Sequence, residues 1–260
     1  MNYEARIDAS FKQLNEVRIE LEDELQSATG PERGHLQQLL WNCKRQAFNP
    51  LYLSQAGQDS FIDQSLMKQK EGGVFVDVGG YDGYTGSNSF FFETFRNWSG
   101  ILIEPVCSYF HIAQRIRKCE CLNVCVSDNE GEELFIHVVD GYTQMSGLAD
   151  TYSQSVLKLV RDHPEHKEKV IQVPTRSLES ILRERDLFHI DCLFVDVEGA
   201  EGSLLTQFPF DDFQIDVCCI ENNLGDAEIP KLMAQSGYEC VEFLGADEVY
   251  VATGRVTEIL

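Results

Sequence analysis

From about residue 51 onward, short apolar runs alternate with stretches of helical character, and this alternation restricts the chain to few folds. Residues 74–78, 101–104 and 192–196 are almost continuously apolar, as strands buried on both faces are. Strands that alternate with helices form βαβ units, whose parallel strands share one sheet covered on both faces. Residues 238–244 and 248–252 have no helix between them and predict an antiparallel pair at the edge. The sequence therefore predicts an α/β fold with a mostly parallel sheet.

Residues 1–50 have a different pattern, that of two helices in a hairpin. Ile7, Leu14 and Leu21 are spaced seven apart, which places them on one face of a helix. Gly30-Pro31 ends this helix, and the proline is well placed in the first turn of a second one. We expect the hairpin to pack on its own domain. The alternative is a dimerisation arm that forms a homo-oligomer through the N-terminal helices.

The net charge excludes several classes of partner. The chain has 43 acidic and 21 basic side chains and a formal net charge of −22. A nucleic-acid-binding protein needs cationic side chains to neutralise phosphates, and an anionic membrane surface would repel this chain as well. No apolar run approaches the roughly 20 residues that a membrane-spanning helix requires. We therefore expect neither a nucleic-acid partner nor a membrane span.

The nine cysteines indicate the compartment. They form no C-x-x-C pair, and several lie inside apolar runs, as Cys121, Cys125 and the pair 218–219 do. Cysteine in such a run behaves as a small buried hydrophobic residue, and free thiols are typical of reducing compartments. Because no signal-peptide pattern opens the sequence, we predict a cytoplasmic protein.

The strongest chemical signal is a glycine-rich loop, residues 76–83, at the end of the first predicted strand. Glycines there let a ligand approach the backbone, and the following helix offers oriented N–H groups. A dinucleotide-binding fingerprint would need glycine at 79, 81 and 84, whereas the last two are Tyr81 and Tyr84. Asp77 and Asp82 flank the loop, and carboxylates repel a pyrophosphate but attract a ligand that carries sulfonium and ammonium groups.

Polar residues also follow the second and third predicted strands. Glu104 comes 25 positions after Gly79, where a carboxylate reaches the ribose hydroxyls of a nucleoside bound across the glycine loop. Ser127 and Asp128 follow the third predicted strand, residues 122–126, where side chains usually meet an adenine edge. Because strand ends of a doubly wound sheet converge on one crevice, the three motifs together predict a nucleoside site.

An ordered set of five motifs resembles the FkbM-type methyltransferases over about residues 51–252. The resemblance implies a class I methyltransferase (Rossmann-like) fold, with a seven-stranded sheet whose last strand is antiparallel, and S-adenosyl-L-methionine as cofactor. The family mostly methylates hydroxyl groups, often of sugars in polysaccharides and glycoconjugates, or of polyketide macrocycles. The motifs are Ser54-Gln-Ala-Gly-Gln-Asp59, Val76-Asp-Val-Gly-Gly-Tyr-Asp-Gly83 with Ser87-Asn88, Ile103-Glu-Pro105, Val126-Ser-Asp128 and Val195-Asp-Val-Glu-Gly-Ala-Glu201.

The same resemblance assigns cofactor contacts by position. It implies that Asp77 and residues 79–82 hold the methionine part and ribose, that Glu104 binds the ribose hydroxyls, and that the adenine lies against residues 127–128. With Asn49-Pro50 as the boundary, the predicted domains are a helical hairpin, 1–50, and a cofactor-binding methyltransferase domain, 51–260. The implied cofactor-binding residues are Gln58, Asp59, Asp77, Gly79, Gly80, Tyr81, Asp82, Glu104, Ser127 and Asp128.

Methyl transfer to an alcohol also needs a group that takes the hydroxyl proton. Asp196 and Glu198 follow the predicted strand 192–196, and alternation along the chain should place both on one face. Two carboxylates so close raise each other's pKa, which suits a base. Asp196 is the preferred base, with Glu198, Glu221 and His137 as alternatives. If one carboxylate instead bonds to turn backbone, we expect it to be Glu198.

The sequence thus predicts a methyltransferase that uses S-adenosylmethionine to methylate a hydroxyl of a small-molecule or glycan acceptor. We predict no metal cofactor, although Asp196 and Glu198 together with Glu221 could hold a divalent cation, since hard cations prefer carboxylate oxygen. Two alternatives come from other classes. One is a nicotinamide-dependent sugar-modifying enzyme, and the other is a non-catalytic scaffold built on the methyltransferase fold.

Overall fold

The computed structural model describes residues 3–47, 51–223 and 225–255, so the predicted boundary at Asn49-Pro50 lies outside the described residues. The strands are β1 Val74–Val78, β2 Ser99–Ile103, β3 Glu120–Leu122, β4 Cys125–Val126, β5 Gly131–Asp140, β6 Gly147–Leu148, β7 Lys167–Arg176, β8 His189–Val195, β9 Gln214–Glu221, β10 Tyr238–Leu244 and β11 Asp247–Ala252. The α-helices are α1 Tyr3–Glu24, α2 Gly30–Ala47, α3 Gln58–Phe61, α4 Phe90–Phe95, α5 Cys107–Ile116, α6 Gln154–Arg161, α7 Leu178–Glu184, α8 Glu201–Gln207 and α9 Glu228–Gln235. A π-helical turn, Ile62–Leu66, extends α3, and short 3₁₀ turns lie at Phe210–Asp212 and Thr253–Arg255.

A seven-stranded sheet in the order β10-β11-β9-β8-β1-β2-β3 forms the centre of the protein. The five strands from β9 to β3 are parallel, and β11 is antiparallel to both β9 and β10. This confirms a mostly parallel seven-stranded sheet with an antiparallel last strand. The antiparallel pair β10–β11 forms one edge of the sheet, as predicted from residues 238–252. Within it β11 inserts between β9 and β10, so β10 is the outermost strand.

A second sheet of four strands, β4-β7-β5-β6, lies beside the first. The run 122–126, expected to be one strand, is divided between the two sheets. β3 ends at Leu122 in the central sheet, and β4 begins at Cys125 in the second one. Between them, the side chain of Asn123 donates hydrogen bonds of 2.9 Å to the carbonyl oxygens of Glu104 and Pro105. The polar residue inside the apolar run thus ties the break between sheets to the end of β2.

The N-terminal hairpin packs on the rest of the chain through α2, as expected. The backbone N–H of Gly245 donates to the carbonyl oxygen of Gly34 across 2.9 Å, and a Cβ on Gly34 would lie 2.3 Å from the Gly245 oxygen. Arg33 in α2 forms a two-pronged ion pair with Glu242 of β10. Between the two helices lies a small apolar cluster of Leu21, Leu25, Ala28, Leu36 and Leu40.

Apolar side chains cover both faces of the central sheet. Phe75 and Val76 are adjacent and both fully buried, and they belong to different core clusters because side chains alternate along a strand. Phe92 of α4 packs in the same cluster as Phe75, and Ile181 of α7 packs with Val76. All nine cysteines lie within the described residues and carry free thiols. No helix in the described part of the chain is both long enough and apolar enough to span a bilayer.

Candidate active site

A cavity of about 200 Å³, the central cavity, lies at the carboxyl ends of the parallel strands. Asp77 of β1, Asp196 after β8 and Glu221 of β9 line it, together with Asp247 of β11. A narrower space of about 50 Å³, the apolar cleft, adjoins it on the side of β2 and the second sheet. Gly79 lines both spaces, so the glycine loop lies between them. Four strands of the central sheet therefore supply carboxylates to this cavity.

The glycine loop is packed tightly against neighbouring strands. The backbone N–H groups of Gly79 and Gly80 both donate to the carbonyl oxygen of Ile103, at 3.0 and 3.1 Å. Gly79 has a φ of +89°, and a Cβ there would lie 1.7 Å from the carbonyl oxygen of Asp196. A Cβ on Gly80 would lie 2.3 Å from Leu102. Glycine is required at both positions by close approach of the protein itself, in addition to any ligand.

Asp77 presents a buried carboxylate to the central cavity. Its side chain accepts a hydrogen bond from the hydroxyl of Ser89, which precedes α4. Burial raises the pKa of Asp77, whereas the charge of Arg117 and the hydrogen bond from Ser89 act in the opposite direction. This carboxylate is therefore held at the cavity wall by Ser89 just before α4 and by the charge of Arg117 just past α5.

Glu104 joins the end of β2 to the glycine loop. One carboxylate oxygen accepts the backbone N–H of Tyr81 at 3.0 Å, and the other accepts that of Val106 at 2.7 Å. The residue is 5% exposed and lines the apolar cleft beside Val126 and Phe135. Burial raises the pKa of Glu104 to about 8, and the nearby carboxylates of Asp196 and Asp77 also raise it. The carboxylate thus lies between the glycine loop and the apolar cleft.

Gln58 and Asp59 are adjacent but differ in their surroundings. Gln58 lines the central cavity, where its amide donates to Asp247 and accepts the backbone N–H of Ala56 at 2.8 Å. Asp59 is fully buried and accepts hydrogen bonds from the hydroxyl and backbone N–H of Ser54. Burial raises the pKa of Asp59 to about 6. Asp59 organises the turn before α3 and lines neither space.

Three further predicted residues point to other partners. The carboxylate of Asp82 accepts the backbone N–H groups two and three positions further along, at 2.9 and 2.7 Å. The hydroxyl of Ser127 donates to Glu133 at 2.5 Å, and Asp128 is exposed to solvent. Of the ten predicted cofactor-binding residues, Gln58, Asp77, Gly79, Gly80, Tyr81 and Glu104 line the central cavity or the cleft, and Asp59, Asp82, Ser127 and Asp128 line neither.

Three of the four candidate bases are brought together. Asp196, Glu198 and Glu221 each contribute an oxygen, and these oxygens lie within 4.8 Å of one another. Burial raises the pKa of Asp196 to about 8, and the charge of Asp247 adds to the effect. The pKa values of Glu198 and Glu221 are raised as well, by burial and by the charge of Asp196. Such a set can bind a proton or a hard cation.

The turn after β8 explains how Glu198 reaches this cluster. Glu198 has a φ of +56°, and the left-handed turn, rather than strand alternation, brings it beside Asp196. In the alternative interpretation Glu198 bonds turn backbone, but the carboxylate that does so is Glu201. Its side chain accepts the N–H groups of Val197 and Gly199, each at 3.0 Å. The partner of Glu198 is the amide of Asn223, at 3.4 Å.

His137 is placed apart from the three carboxylates. It lies in β5, with its ring edge-on to Tyr109 at 5.6 Å between centroids, and it lines neither the central cavity nor the apolar cleft. Burial lowers the pKa of His137, and the charge of Lys169 on the paired strand adds to this.

A third space of about 300 Å³, the outer cavity, lies beside the carboxylates. Glu198 and Glu221 line it with Gln55, Asn223 and the loop between β5 and β6. Gln144 of that loop lines all three spaces. Gln144 and Asp247 could not be predicted as site residues, because neither belongs to a local motif and both reach the site from distant elements.

Comparison with known proteins identifies the family. A family model described as the methyltransferase FkbM domain matches residues 77–240, more than half of the chain. A TehB-like SAM-dependent methyltransferase structure from Corynebacterium glutamicum is 11% identical with a TM-score of 0.39, covering 86% of this chain and 97% of that one. The FkbM methyltransferase structure from Methylobacillus flagellatus is 10% identical with a TM-score of 0.39, covering 94% of this chain and 60% of that one. No curated protein sequence matches. On the family match, the chain belongs to the FkbM methyltransferase family.

Proposed function

We propose that this methyltransferase uses S-adenosylmethionine to methylate a hydroxyl group of a sugar in a polysaccharide or glycoconjugate. The observation that carries the proposal is the convergence of Asp77, Glu104 and Asp196 on one crevice, in a chain that belongs to a methyltransferase family. The cofactor, when bound, supplies the methyl group from its sulfonium.

The donor set of the crevice fits that cofactor. Its sulfonium and ammonium groups are cationic, and the central cavity offers the carboxylates of Asp77 and Asp196. The adjoining cleft has an apolar wall that includes Val126 and Phe135, which suits a purine ring. Glu104 lies at the same cleft, where a carboxylate can accept hydrogen bonds from ribose hydroxyls. The described residues therefore offer a complementary partner to each part of the molecule.

Asp196 is the residue that we propose as general base. It lines the central cavity, and its neighbours Glu198 and Glu221 line the outer cavity, so an acceptor hydroxyl between them would meet a carboxylate. Its raised pKa makes the charged carboxylate a strong proton acceptor, and a cationic cofactor in the same cavity favours that charged form. Holding the acceptor oxygen in line with the donated methyl group provides much of the remaining acceleration. Glu198 and Glu221 remain alternatives at the same place.

The outer cavity supports a carbohydrate acceptor. Its wall combines the amides of Gln55, Gln144 and Asn223 with the hydroxyl and ring of Tyr142 and the carboxylate of Glu198. Amides and carboxylates together donate and accept hydrogen bonds, as recognition of several neighbouring hydroxyls requires. Met145 also lines this wall, so the loop between β5 and β6 forms part of the proposed acceptor entrance.

The test is transfer of an isotope-labelled methyl group from S-adenosylmethionine to a panel of oligosaccharides and glycoconjugate extracts. We expect the label in the carbohydrate fraction, as a methyl ether located by NMR. Label on nitrogen or sulfur would overturn the proposed chemistry. Label on an oxygen outside carbohydrate would overturn the proposed acceptor alone. Asp216→Asn serves as a control variant that should keep the transfer activity. The carboxylate of Asp216 pairs with His189 and Arg255 and lines none of the three spaces.

A further inference from the structure

A buried chain of hydrogen bonds reaches Asp77 from behind the site. Arg117 lies just past α5, and its side chain is completely shielded from solvent. Its Nη2 donates to the hydroxyl oxygen of Ser89 at 2.9 Å, and the same hydroxyl donates to Asp77. The sequence motifs do not include Arg117, which comes 40 positions after Asp77 along the chain.

The chemistry of arginine fixes the direction of this chain. A guanidinium only donates hydrogen bonds, so the Ser89 oxygen must be the acceptor from Arg117. A hydroxyl has one proton, and with Arg117 on the acceptor side that proton points to Asp77. The Oδ2 atom of Asp77 is therefore held as an acceptor. Its other oxygen is left for whatever enters the central cavity.

Arg117 is anchored so firmly that it can orient Ser89. Its Nε donates to Glu93 of α4, and its Nη1 donates to the carbonyl oxygen of Gly83 at the end of the glycine loop, at 3.2 Å. The guanidinium also lies over the rings of Phe75 and Phe90, 5.4 and 5.7 Å from their centroids. Arg117 thus connects the glycine loop, the start of α4 and the strand β1.

The surroundings of Asp77 explain why the hydrogen bonds from Arg117 through Ser89 matter. The acidic groups that interact electrostatically with Asp77 are Glu104 after β2, Asp196 after β8 and the thiol of Cys121 in β3. Burial favours a neutral Asp77, whereas the charge of Arg117 and the hydrogen bond from Ser89 favour its charged form. The Ser89 hydroxyl connects Arg117 to one oxygen of Asp77.

We propose that Arg117 is a positioning residue of the cofactor site, acting through Ser89 to keep Asp77 charged and turned into the central cavity. The role rests on the proposed function, because it assigns Asp77 to a cationic cofactor. Arg117 itself lines neither the central cavity nor the apolar cleft.

The test measures the Kd of S-adenosylhomocysteine for the full chain by calorimetry, in the wild type, Ser89→Ala and Asp77→Asn. Loss of a hydrogen bond to a charged group should weaken binding by about tenfold in Ser89→Ala. In the Asp77→Asn background, Ser89→Ala should have no additional effect on Kd, since the hydrogen bonds from Arg117 through Ser89 then have no carboxylate to orient. The pH at which affinity is lost should also move upward in Ser89→Ala, because Asp77 then loses a bond that favours its charged form.

A matched pair of conservative variants separates positioning from stability. Arg117→Lys keeps the charge but loses the planar guanidinium that donates to Glu93, Gly83 and Ser89. It should weaken the binding of S-adenosylhomocysteine. Arg96→Lys disturbs a comparable pair, since Arg96 binds buried Asp63 at 2.6 and 2.9 Å and lies over Phe91, away from the cavity. It should lower thermal stability and leave Kd unchanged.

Two outcomes would overturn the positioning role of Arg117. One is a Kd in Ser89→Ala and Arg117→Lys equal to that of a wild type that binds. The other is a loss in Ser89→Ala that persists unchanged in the Asp77→Asn background. A wild type that does not bind S-adenosylhomocysteine at all would overturn the proposed function instead.

Discussion

The α-carbon of Gly79 faces the carbonyl oxygen of Asp196 so closely that a Cβ would lie 1.7 Å from it. Gly79→Ala should therefore push the glycine loop away from the end of β8. Overpacking costs about 1–3 kcal/mol, and a side chain at positive φ adds about 1–2 kcal/mol. Chemical denaturation should show this loss in the free energy of unfolding. Gly254→Ala is the control, since that position is open and should change stability by less than about 0.5 kcal/mol. Equal stabilities of the two variants would contradict the predicted clash.

Cofactor binding should release a proton from Glu104. With a pKa of about 8, the carboxyl is mostly protonated at pH 7 in the free protein. Hydrogen bonds from ribose hydroxyls favour the charged form, so its pKa falls in the complex and the proton leaves. Calorimetric titrations with S-adenosylhomocysteine in buffers of different ionisation enthalpy measure this release directly. Glu104→Gln should remove the part of this release that comes from Glu104 in whatever binding remains. Identical apparent enthalpies in all buffers for the wild type would refute the assignment.

The stability of the ligand-free protein should fall as the pH rises from about 5 to 8. Burial raises the pKa values of Asp59 and Asp247 to about 6, and those of Glu104 and Asp196 to about 8, whereas unfolded carboxyls titrate near pH 4. Between these values the folded state binds more protons than the unfolded state, so raising the pH favours unfolding. Thermal melts across this range give the measurement. Glu104→Gln should reduce the fall in melting temperature in the upper part of this pH range, near the pKa of Glu104. Asp128→Asn, at an exposed position, should not. A melting temperature that rises from pH 5 to 8 would contradict these pKa shifts.

Methyl transfer should persist after metal removal. The oxygens of Asp196, Glu198 and Glu221 lie within 4.8 Å, a set that a hard cation could also bind. If Asp196 accepts the proton, dialysis against a chelator should leave kcat unchanged. A loss of kcat that is restored by Mg²⁺ would assign the three carboxylates to a cation and remove Asp196 as the base.

The sequence predicted the central sheet well because its signals are local. An apolar run such as residues 74–78 must be buried wherever the chain places it, and the intervening helices determine that the strands are parallel. It did not predict the second sheet. Residues 122–126 have one apolar pattern, and only the contacts of Asn123 with the end of β2 divide it between two sheets. Tertiary contacts of this kind leave no periodicity in the sequence.

In the candidate site, too, some residues could be predicted from the sequence and others could not. Asp77, Glu104 and Asp196 could be predicted because strand ends converge in this fold. Asp82 could not be separated from them by motif alone, since its carboxylate is occupied by neighbouring backbone N–H groups. Arg117 could not be predicted to matter, because its relation to Asp77 depends on the hydroxyl of Ser89 between them. Motifs locate residues near a site, and hydrogen-bond partners decide which of them face it.

The proposed cofactor site holds S-adenosylmethionine, with Glu104 needed for binding and Asp196 for catalysis. Calorimetric titration of the full chain with S-adenosylhomocysteine, in the wild type, Glu104→Ala and Asp196→Ala, measures both roles when turnover is assayed on the same samples. The oxidised nicotinamide dinucleotide serves as the comparison ligand. We expect the wild type to bind S-adenosylhomocysteine and not the dinucleotide, Glu104→Ala to lose binding, and Asp196→Ala to keep binding and lose turnover. A wild type that shows no binding at millimolar S-adenosylhomocysteine would contradict the account.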